Sequence, residues 1–308
     1  MLARIYKSTG SWYIAKTDSG FLYNARIKGI FKIDGITSTN PVAVGDIVEI
    51  EPEDESGNNA IINNIYDRKN YIARSSPRHK MQHHIIASNL DQALIIVTLK
   101  EPKTSQGFID RCLVAAEAYH IPPKIVFNKI DIYKKKEWDV FEKLQNIYES
   151  IGYSVQKISM KTFEGLEDLK NILENKISLF FGHSGIGKST LINYLLPKLD
   201  LRTREVSNWS GKGMHTTTFA EMFDLQFEGK IIDTPGIREF AINDMERAEL
   251  SHYFPEMRVI LQACKFNNCL HIEEPGCAVK EAVEEGKIFM ERYISYYNIL
   301  QSIAENSY

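Results

Sequence analysis

Short segments rich in apolar residues follow one another over roughly the first seventy residues of the chain. β-Branched and aromatic residues fill these segments, and turns of Gly, Pro, Asn and Asp separate them. This pattern predicts β-strands over 11–16, 21–31, 42–50 and 60–66. About five short strands in a stretch of this length favour a small barrel of the oligonucleotide-binding (OB) type. Another small β-domain, such as an SH3-like barrel, also fits the pattern.

The pattern changes after residues 74–80, a basic segment that is typical of a linker. Buried-type strands now alternate with amphipathic helices, which predicts a parallel sheet covered on both faces. The predicted strands are 93–99, 124–127, 155–158 and 177–181, and the predicted helices are 108–119, 138–150 and 166–175.

From residue 239 onward the pattern is mainly helical. Apolar side chains at three-to-four-residue spacing predict a buried stripe of Val279, Val283, Phe289, Tyr293, Tyr297 and Leu300. We therefore expect three domains: an all-β OB-like barrel over 1–72, an α/β domain over 73–238 and a mainly helical domain over 239–308.

Composition adds limits to this picture. The 308 residues are 44% hydrophobic and 25% charged, which is typical of a soluble globular protein. A net charge of -3 gives no general attraction to nucleic acid, so any RNA contact needs a local patch. The apolar run 93–97 is too short to cross a bilayer, and the first residues lack a signal-peptide core. We expect a cytoplasmic protein that makes no membrane contact.

Residues 182–190 match the phosphate-binding loop, G-x-x-x-x-G-K-[ST]. A predicted strand precedes the loop and an apolar helix follows it, which favours a nucleotide site over a structural glycine-rich turn. Lys188 is expected to reach the β- and γ-phosphates, and the Ser189 hydroxyl to hold Mg²⁺. The predicted nucleotide contacts are Gly182, His183, Ser184, Gly185, Ile186, Gly187, Lys188, Ser189 and Thr190.

Asn128, Lys129 and Asp131 form an Asn-Lys-x-Asp motif directly after a predicted strand. A fixed carboxylate at Asp131 can accept hydrogen bonds from guanine N1–H and the 2-amino group. Adenine lacks both donors, and such a mismatch can discriminate by roughly 10⁴-fold. Alone, this tetrapeptide is usually a helix cap or a surface turn. Its position after a strand, in the same sheet as a phosphate loop, favours a guanine site.

Two further segments are candidates for completing the site. Asp233 and Gly236 belong to an Asp-Thr-Pro-Gly turn, where the carboxylate can hold Mg²⁺ through water and the Gly236 N–H can meet a γ-phosphate. Thr217, in the flexible run 211–218, can complete the magnesium shell when the γ-phosphate is present. Alone, the two segments fit a plain turn and a polar surface loop.

Together, these elements resemble the translation-factor class of GTPases in a permuted order, because the guanine motif precedes the phosphate loop. Ser159 stands where that class has a fifth element, whose backbone contacts guanine. The order, the preceding barrel and a following Cys/His cluster resemble the ribosome small-subunit-dependent GTPase A (RsgA) family of bacterial 30S maturation factors. The resemblance covers nearly the whole chain. It implies GTP hydrolysis that is stimulated by the small ribosomal subunit late in its assembly.

The resemblance also implies how hydrolysis proceeds. Ile237 stands where Ras-like enzymes have a water-orienting glutamine, and the family likewise has a hydrophobic residue there. His215 resembles the family's switch-one histidine and is the catalytic candidate, able to position water or stabilise charge. An exposed loop histidine without a catalytic role is the alternative. Slow intrinsic turnover with strong activation by a partner is expected.

Three of the four cysteines lie within residues 264–277, which favours a metal site over disulfides. Three thiolates and one imidazole make a closed, structural Zn²⁺ site, and the spacing matches the RsgA carboxy-terminal zinc motif. The alternative is three small buried hydrophobic residues and a surface histidine. The fourth cysteine, Cys112, lies in an apolar helix and is expected in the core. The predicted ligands of one Zn²⁺ are Cys264, Cys269, His271 and Cys277.

The leading interpretation is a monomeric GTPase whose partners are GTP, GDP, and the 30S subunit with its rRNA. The barrel and the zinc domain would contact the ribosome, although the barrel is not basic. The alternative is a GTP-regulated switch or binding module with a non-ribosomal protein partner. The better candidates for phosphate contacts are Arg74, Arg78, Lys80, Lys198, Arg202, Arg204 and Lys212.

The permuted order is compatible with a single site, because we expect both motifs at adjacent strand ends of one sheet. It also places Gly236 only a few residues before the helical domain, with 238–240 as a short tether. We expect the nucleotide state to orient the zinc domain through this tether.

Overall fold

A computed structural model describes residues 1–27, 41–53, 57–75, 83–197, 220–233 and 245–305. It confirms the predicted fold class: an amino-terminal barrel, a central α/β domain and a mainly helical carboxy-terminal module. Within these ranges every helix is too short or too polar to serve as a membrane span.

Five strands close the amino-terminal barrel, in the order β1-β2-β3-β5-β4 with β4 returning to β1. All neighbours are antiparallel except β3 and β5, which are parallel. Alternate side chains such as Ile5, Tyr13 and Ile62 fill the interior. The first strand is absent from the sequence prediction. The strands are β1 (Leu2–Ser8), β2 (Tyr13–Thr17), β3 (Leu22–Ile27), β4 (Ile47–Pro52) and β5 (Asn59–Ile65).

A two-stranded antiparallel ribbon, whose strands the sequence pattern does not predict, follows the barrel. It comprises β6 (Tyr71–Ser75) and β7 (His83–Ser88), and residues 76–82 lie outside the described ranges. A buried ion pair between Arg68 and Asp46, with N–O distances of 2.7 and 2.6 Å, fastens the ribbon's entry to the barrel. Ser88 adds a hydrogen bond of 2.6 Å to the same carboxylate. The barrel and the ribbon therefore share one polar anchor.

The central sheet has the strand order β10-β9-β8-β11-β13-β12. The first five strands are parallel, and β12 is an antiparallel edge strand that pairs with β1 of the barrel. Barrel and central sheet thus form one continuous eleven-stranded sheet. The strands are β8 (Gln92–Val97), β9 (Pro123–Phe127), β10 (Ser154–Lys157), β11 (Ile177–Phe181), β12 (Glu221–Asp224) and β13 (Lys230–Asp233).

Helices cover both faces of this sheet, as predicted. Successive strand residues point to opposite faces of the sheet and belong to two apolar clusters. Ile95 and Phe127 pack with α1 and α2, whereas Leu94 and Val126 pack with α3 and α4. Cys112 is buried in the first cluster, as expected. The helices are α1 (Gln106–Ala118), α2 (Lys135–Ser150), α3 (Leu166–Leu173) and α4 (Lys188–Leu195).

The carboxy-terminal module packs against α1 and shares its apolar cluster. It contains α5 (Pro255–Arg258), α6 (Ala278–Glu284) and α7 (Met290–Glu305), with short 3₁₀ turns at Leu250–Tyr253 and Leu261–Ala263. The predicted stripe on α7 is wrong at one position, because Tyr297 is 40% exposed. The buried face instead comprises Arg292, Tyr296, Ile299, Leu300 and Ile303.

Candidate nucleotide-binding and metal sites

The carboxyl ends of the parallel strands bring the predicted nucleotide residues to one edge of the sheet. The phosphate loop follows β11, the Asn-Lys-x-Asp motif follows β9, Ser159 follows β10, and Asp233 ends β13. Ligands of open α/β sheets bind at this edge. Strand β8 lies between β9 and β11, so the expectation of adjacent strand ends is wrong. Side-chain contacts across this gap join the two motifs instead.

Glycines shape the phosphate loop. Gly182, Gly185 and Gly187 have φ values of 150°, 81° and 94°, which glycine adopts without strain. A Cβ atom on Gly187 would lie 2.5 Å from Nδ2 of Asn128, and one on Gly182 would lie 2.5 Å from the Ile96 carbonyl oxygen. The loop runs directly into α4, which begins at Lys188. A glycine-rich loop that leads into a helix N-terminus is suited to binding phosphate.

The guanine motif is bonded to the backbone of the phosphate loop. Nδ2 of Asn128, a buried side chain, donates to the Ile186 carbonyl at 2.8 Å. Nζ of Lys129 donates to the Gly185 carbonyl at 2.7 Å and also to the Glu101 carbonyl. These bonds hold the two motifs at a fixed separation. The hydrogen bond from Lys129 to the Glu101 carbonyl, in the loop after β8, could not be predicted from a sequence motif.

A second set of bonds fixes Asp131. The buried Ser159 hydroxyl donates to Oδ1 of Asp131 at 2.6 Å. The same hydroxyl oxygen accepts the backbone N–H groups of Lys161 and Thr162, each at 3.1 Å. The exposed carboxylate of Asp131 is therefore held at the rim of the site. The structure thus brings the phosphate loop, the Asn-Lys-x-Asp motif and Ser159 together.

Lys188 and Asp233 also meet, with Nζ 3.3 Å from Oδ1. This ion pair joins the lysine of the phosphate loop to the end of β13. Ser189 and Thr190 are exposed in the first turn of α4. The remaining predicted residues, His215, Thr217 and Gly236, lie outside the described residues, as do Ile237 and the tether 238–240.

The phosphate loop has one aromatic contact that the motif does not predict. The imidazole of His183 lies on the ring of Phe108, with centroids 3.5 Å apart and planes inclined by 32°. Phe108 belongs to the first turn of α1, and its N–H bonds to the Ser105 cap at 3.3 Å. His183 therefore connects the phosphate loop to α1.

The four predicted metal ligands form a single cluster. The ligand atoms of Cys264, Cys269, His271 and Cys277 all lie within 4.8 Å of one another. Nδ1 of His271 lies 3.3 Å from Sγ of Cys277 and 3.6 Å from Sγ of Cys264. Tetrahedral Zn²⁺ with bonds of about 2.0–2.3 Å would need comparable separations. The donor set and its spacing fit such an ion.

Burial favours the uncharged forms of these ligand side chains. It raises the pKa of Cys269 to about 12 and also raises the pKa of Cys277. Burial lowers the pKa of His271, which favours the neutral imidazole that metals bind. Buried thiolates need a positive partner, and a metal ion supplies one.

The loop that carries these ligands is braced from two sides. The Glu274 carboxylate accepts backbone N–H groups of Leu270, Ile272 and Glu273 at 2.7, 2.8 and 3.1 Å. From α7, the hydroxyl of Tyr293 donates to the His271 carbonyl at 2.7 Å, and that of Tyr296 donates to the Leu270 carbonyl at 2.8 Å. Helix α7 therefore positions the metal loop.

Two family models together match residues of the barrel and the central domain. The family model described as RsgA GTPase matches residues 65–243, and the one described as RsgA N-terminal domain matches residues 3–62. A small ribosomal subunit biogenesis GTPase RsgA 2 of Bacteroides thetaiotaomicron is 51% identical over 308 residues, covering 100% of this chain and 99% of the relative. The RsgA of Flavobacterium psychrophilum is also 51% identical, covering 98% and 93%.

Solved structures show the same likeness. YjeQ from Thermotoga maritima is 34% identical with a TM-score of 0.80, covering 98% of each chain. YloQ, described as a circularly permuted GTPase, is 30% identical with a TM-score of 0.76, covering 99% of this chain and 95% of that one. Both likenesses extend over barrel, central domain and carboxy-terminal module.

Proposed function

Because the chain belongs to the RsgA family of GTPases, we propose that it hydrolyses GTP under stimulation by the small ribosomal subunit, late in the maturation of that subunit. The proposal rests above all on the bonds from Asn128 and Lys129 to the phosphate-loop backbone. They join a guanine-reading motif and a phosphate-binding loop that are far apart in the chain. Relatives of about 50% identity carry the name of a small ribosomal subunit biogenesis GTPase. The cytoplasm, where ribosomal subunits are found, is the proposed location.

The described residues have distinct roles in this proposal. Asp131 reads the guanine edge while Ser159 fixes its carboxylate. The backbone of 182–187 holds the phosphates, and Lys188 neutralises the β- and γ-phosphate charge. Ser189 and, through water, Asp233 would hold Mg²⁺ together with Thr217. The Gly236 N–H would contact the γ-phosphate.

His215 is the proposed group that positions the attacking water, since Ile237 has no polar atom for this task. The magnesium ion lowers the charge repulsion on the transferring phosphoryl group. Slow intrinsic turnover follows, because the chain lacks a glutamine at the position after Gly236. Contact with the ribosomal subunit would complete the arrangement of the active site.

The cluster of Cys264, Cys269, His271 and Cys277 is proposed to hold one structural Zn²⁺. All four ligand positions come from the protein, so the ion organises the loop and takes no part in hydrolysis. Its loop and the barrel are proposed to supply two separate contacts to the ribosomal RNA. The chain is proposed to act as a monomer with units over 1–72, 73–238 and 239–308.

Co-sedimentation with purified 30S subunits tests the proposal. Binding should be stronger with a non-hydrolysable GTP analogue than with GDP, and the subunits should accelerate GTP hydrolysis. A Lys188→Ala variant, which loses the phosphate-contacting ammonium, should show neither effect. If wild-type protein binds GTP but is indifferent to subunits in both assays, a switch with a non-ribosomal protein partner replaces this proposal.

A further inference from the structure

Helix α1 contacts both the phosphate loop and the module that carries the metal ligands. At its amino-terminal end, Phe108 packs against His183 with ring centroids 3.5 Å apart. On its buried face, Oδ1 of Asp110 lies 2.5 Å from Nη1 of Arg292 on α7. Only one residue separates Phe108 from Asp110 in the chain. The two contacts therefore belong to the same first turns of one helix.

On the phosphate-loop side, the ring contact lies between a closely packed glycine and a capped helix. His183 follows Gly182, whose φ of 150° and close approach to the Ile96 carbonyl leave no room for a side chain. Ser105 caps the first turn of α1 by accepting the Phe108 N–H. The ring contact therefore connects the phosphate loop to the capped first turn of α1, so that a displacement of the loop alters the packing of α1.

The contact on the module side is buried and charged. Arg292 is fully buried between Asp110 and Glu256, whose Oε1 accepts from Nε at 2.6 Å. Its guanidinium also lies 4.5 Å from the Phe254 ring centroid. Tyr293 and Tyr296, one and four residues after Arg292 on α7, bond to the backbone of the metal loop. A continuous series of short contacts therefore runs from the phosphate loop to the metal ligands.

We propose that His183 is a positioning residue that links the nucleotide site to the metal site, so that occupation of each site strengthens binding at the other. This inference rests on the proposed function, because it requires both ligands to bind. Each ligand orders one end of a connected series and so lowers the entropic cost of ordering the other end. Such a linkage is reciprocal: the factor by which Zn²⁺ tightens GDP binding equals the factor by which GDP tightens Zn²⁺ binding.

The test measures affinities and no turnover. A fluorescent GDP analogue is titrated into full-length protein in excess Mg²⁺, with Zn²⁺ bound and after its removal by a zinc-selective chelator. Zinc affinity is measured by competition with a chromophoric chelator, with and without GDP. We expect each ligand to tighten the other about fivefold in the wild type, near the lower end of typical couplings.

Substitutions distinguish the effect of the His183–Phe108 ring contact from a general loss of stability. His183→Ala should reduce the linkage to less than twofold, and Phe108→Leu should do the same from the other side. His183→Phe keeps a flat ring on Phe108 and should retain the wild-type linkage. Phe21→Ala removes an exposed ring on the barrel and is the matched control.

The outcomes distinguish the inference from the proposed function. Wild-type protein that fails to bind GDP would contradict the proposed function itself. Tight binding of GDP and Zn²⁺ without mutual effect would overturn only the linkage. A linkage that persists in both His183→Ala and Phe108→Leu would remove His183 from this role.

Discussion

At the scale of single residues, the nucleotide site depends on side chains that bond to backbone across the sheet. The motifs alone predict Asn128, Lys129 and Asp131, because guanine recognition needs these residue types. Their bonds to Ile186 and Gly185 do not follow from the motifs, since they depend on where the strands lie. The contacts of Glu101 and Phe108 likewise leave no signature in the sequence.

Gly187 offers a direct test at this scale. A methyl group in Gly187→Ala would lie 2.5 Å from Nδ2 of Asn128 and must displace that side chain from the phosphate loop. GDP affinity should therefore fall at least tenfold, about 1.4 kcal/mol, in a fluorescence titration. Gly10→Ala is the control, because Gly10 has a similar φ of 90° but no atom within 4 Å of the added methyl. Equal losses in both variants would attribute the effect to general destabilisation and not to a displaced Asn128 side chain.

At the scale of elements, hydrophobic periodicity predicts most helices and strands. It does not predict a strand whose polar side chains pair with side chains of another domain. Strand β12 carries Glu221 and Asp224, and their partners Lys7, Tyr6 and Lys16 come from the barrel. Without knowledge of the barrel's position, this strand has no recognisable core face. The sequence pattern also does not predict strand β1, although its alternate residues Ala3 and Ile5 point into the barrel.

Helix α7 shows the same limit in another form. A buried arginine breaks the apolar stripe, so the sequence pattern selects Tyr297 in place of Tyr296 as a core residue. Arg292 is stable in the interior only because Asp110 and Glu256 pair with it, and these belong to α1 and α5. The pairing is a property of the tertiary structure that no local pattern contains.

Arg292→Met tests the energetic weight of this pairing. The substitution leaves two carboxylates buried without their cation, a change that costs about 3–5 kcal/mol. The thermal unfolding midpoint should fall by at least about 6 °C in a chain of this size. Arg26→Met breaks an exposed ion pair with Glu53 and should change the midpoint by at most about 2 °C. A similar small shift in both variants would contradict the proposed importance of the buried network.

The junction between barrel and sheet predicts a pH dependence. Burial favours the neutral form of Asp224, but bonds from Lys16, Tyr6 and Lys230 outweigh it and lower the pKa below the ordinary 3.8. A lowered folded-state pKa stabilises the protein above the unfolded value, and this contribution is lost as pH falls through the folded value.

The unfolding midpoint of Asp224→Asn should therefore lie below that of the wild type by a constant amount from about pH 5 to 8. The difference should shrink below about pH 4, where the wild-type carboxylate becomes protonated. Asp18→Asn, on an exposed turn, is the control and should show no such difference. A gap between Asp224→Asn and the wild type that widens on acidification would have the wrong sign for this account.

At the scale of the whole molecule, the permuted order is accommodated because the sheet, and not the chain order, sets the site. The phosphate loop and the guanine motif lie on either side of β8 and are joined by side-chain bonds. The sheet extends without interruption into the barrel, and the apolar core extends into the carboxy-terminal module. Sequence alone predicted three domains in series, and the structure shows that their cores and sheets are connected.

At this scale, the structure also offers a connection between the nucleotide and metal sites that differs from the predicted one. The sequence suggested a tether over 238–240, which lies outside the described residues. The described contacts provide another route through α1 and Arg292. This route depends on docked surfaces and would persist whatever the length of the tether.

The central claim is that two motifs in permuted order form one guanine-specific site, and Asp131→Asn tests it most directly. Xanthine carries a C2 carbonyl where guanine has its 2-amino donor, so an Asn amide at 131 should favour xanthosine diphosphate (XDP). The Asn carbonyl can still accept the Ser159 hydroxyl that now bonds to Oδ1 of Asp131. Asp139→Asn, on the exposed face of α2, is the matched control.

Competition titrations of GDP against XDP provide the measurement. Wild-type protein and Asp139→Asn should prefer GDP by about 10³-fold or more, and Asp131→Asn should prefer XDP. If Asp131→Asn retains the wild-type preference for GDP, the Asn-Lys-x-Asp motif does not read the base, and the account of a single permuted site is contradicted.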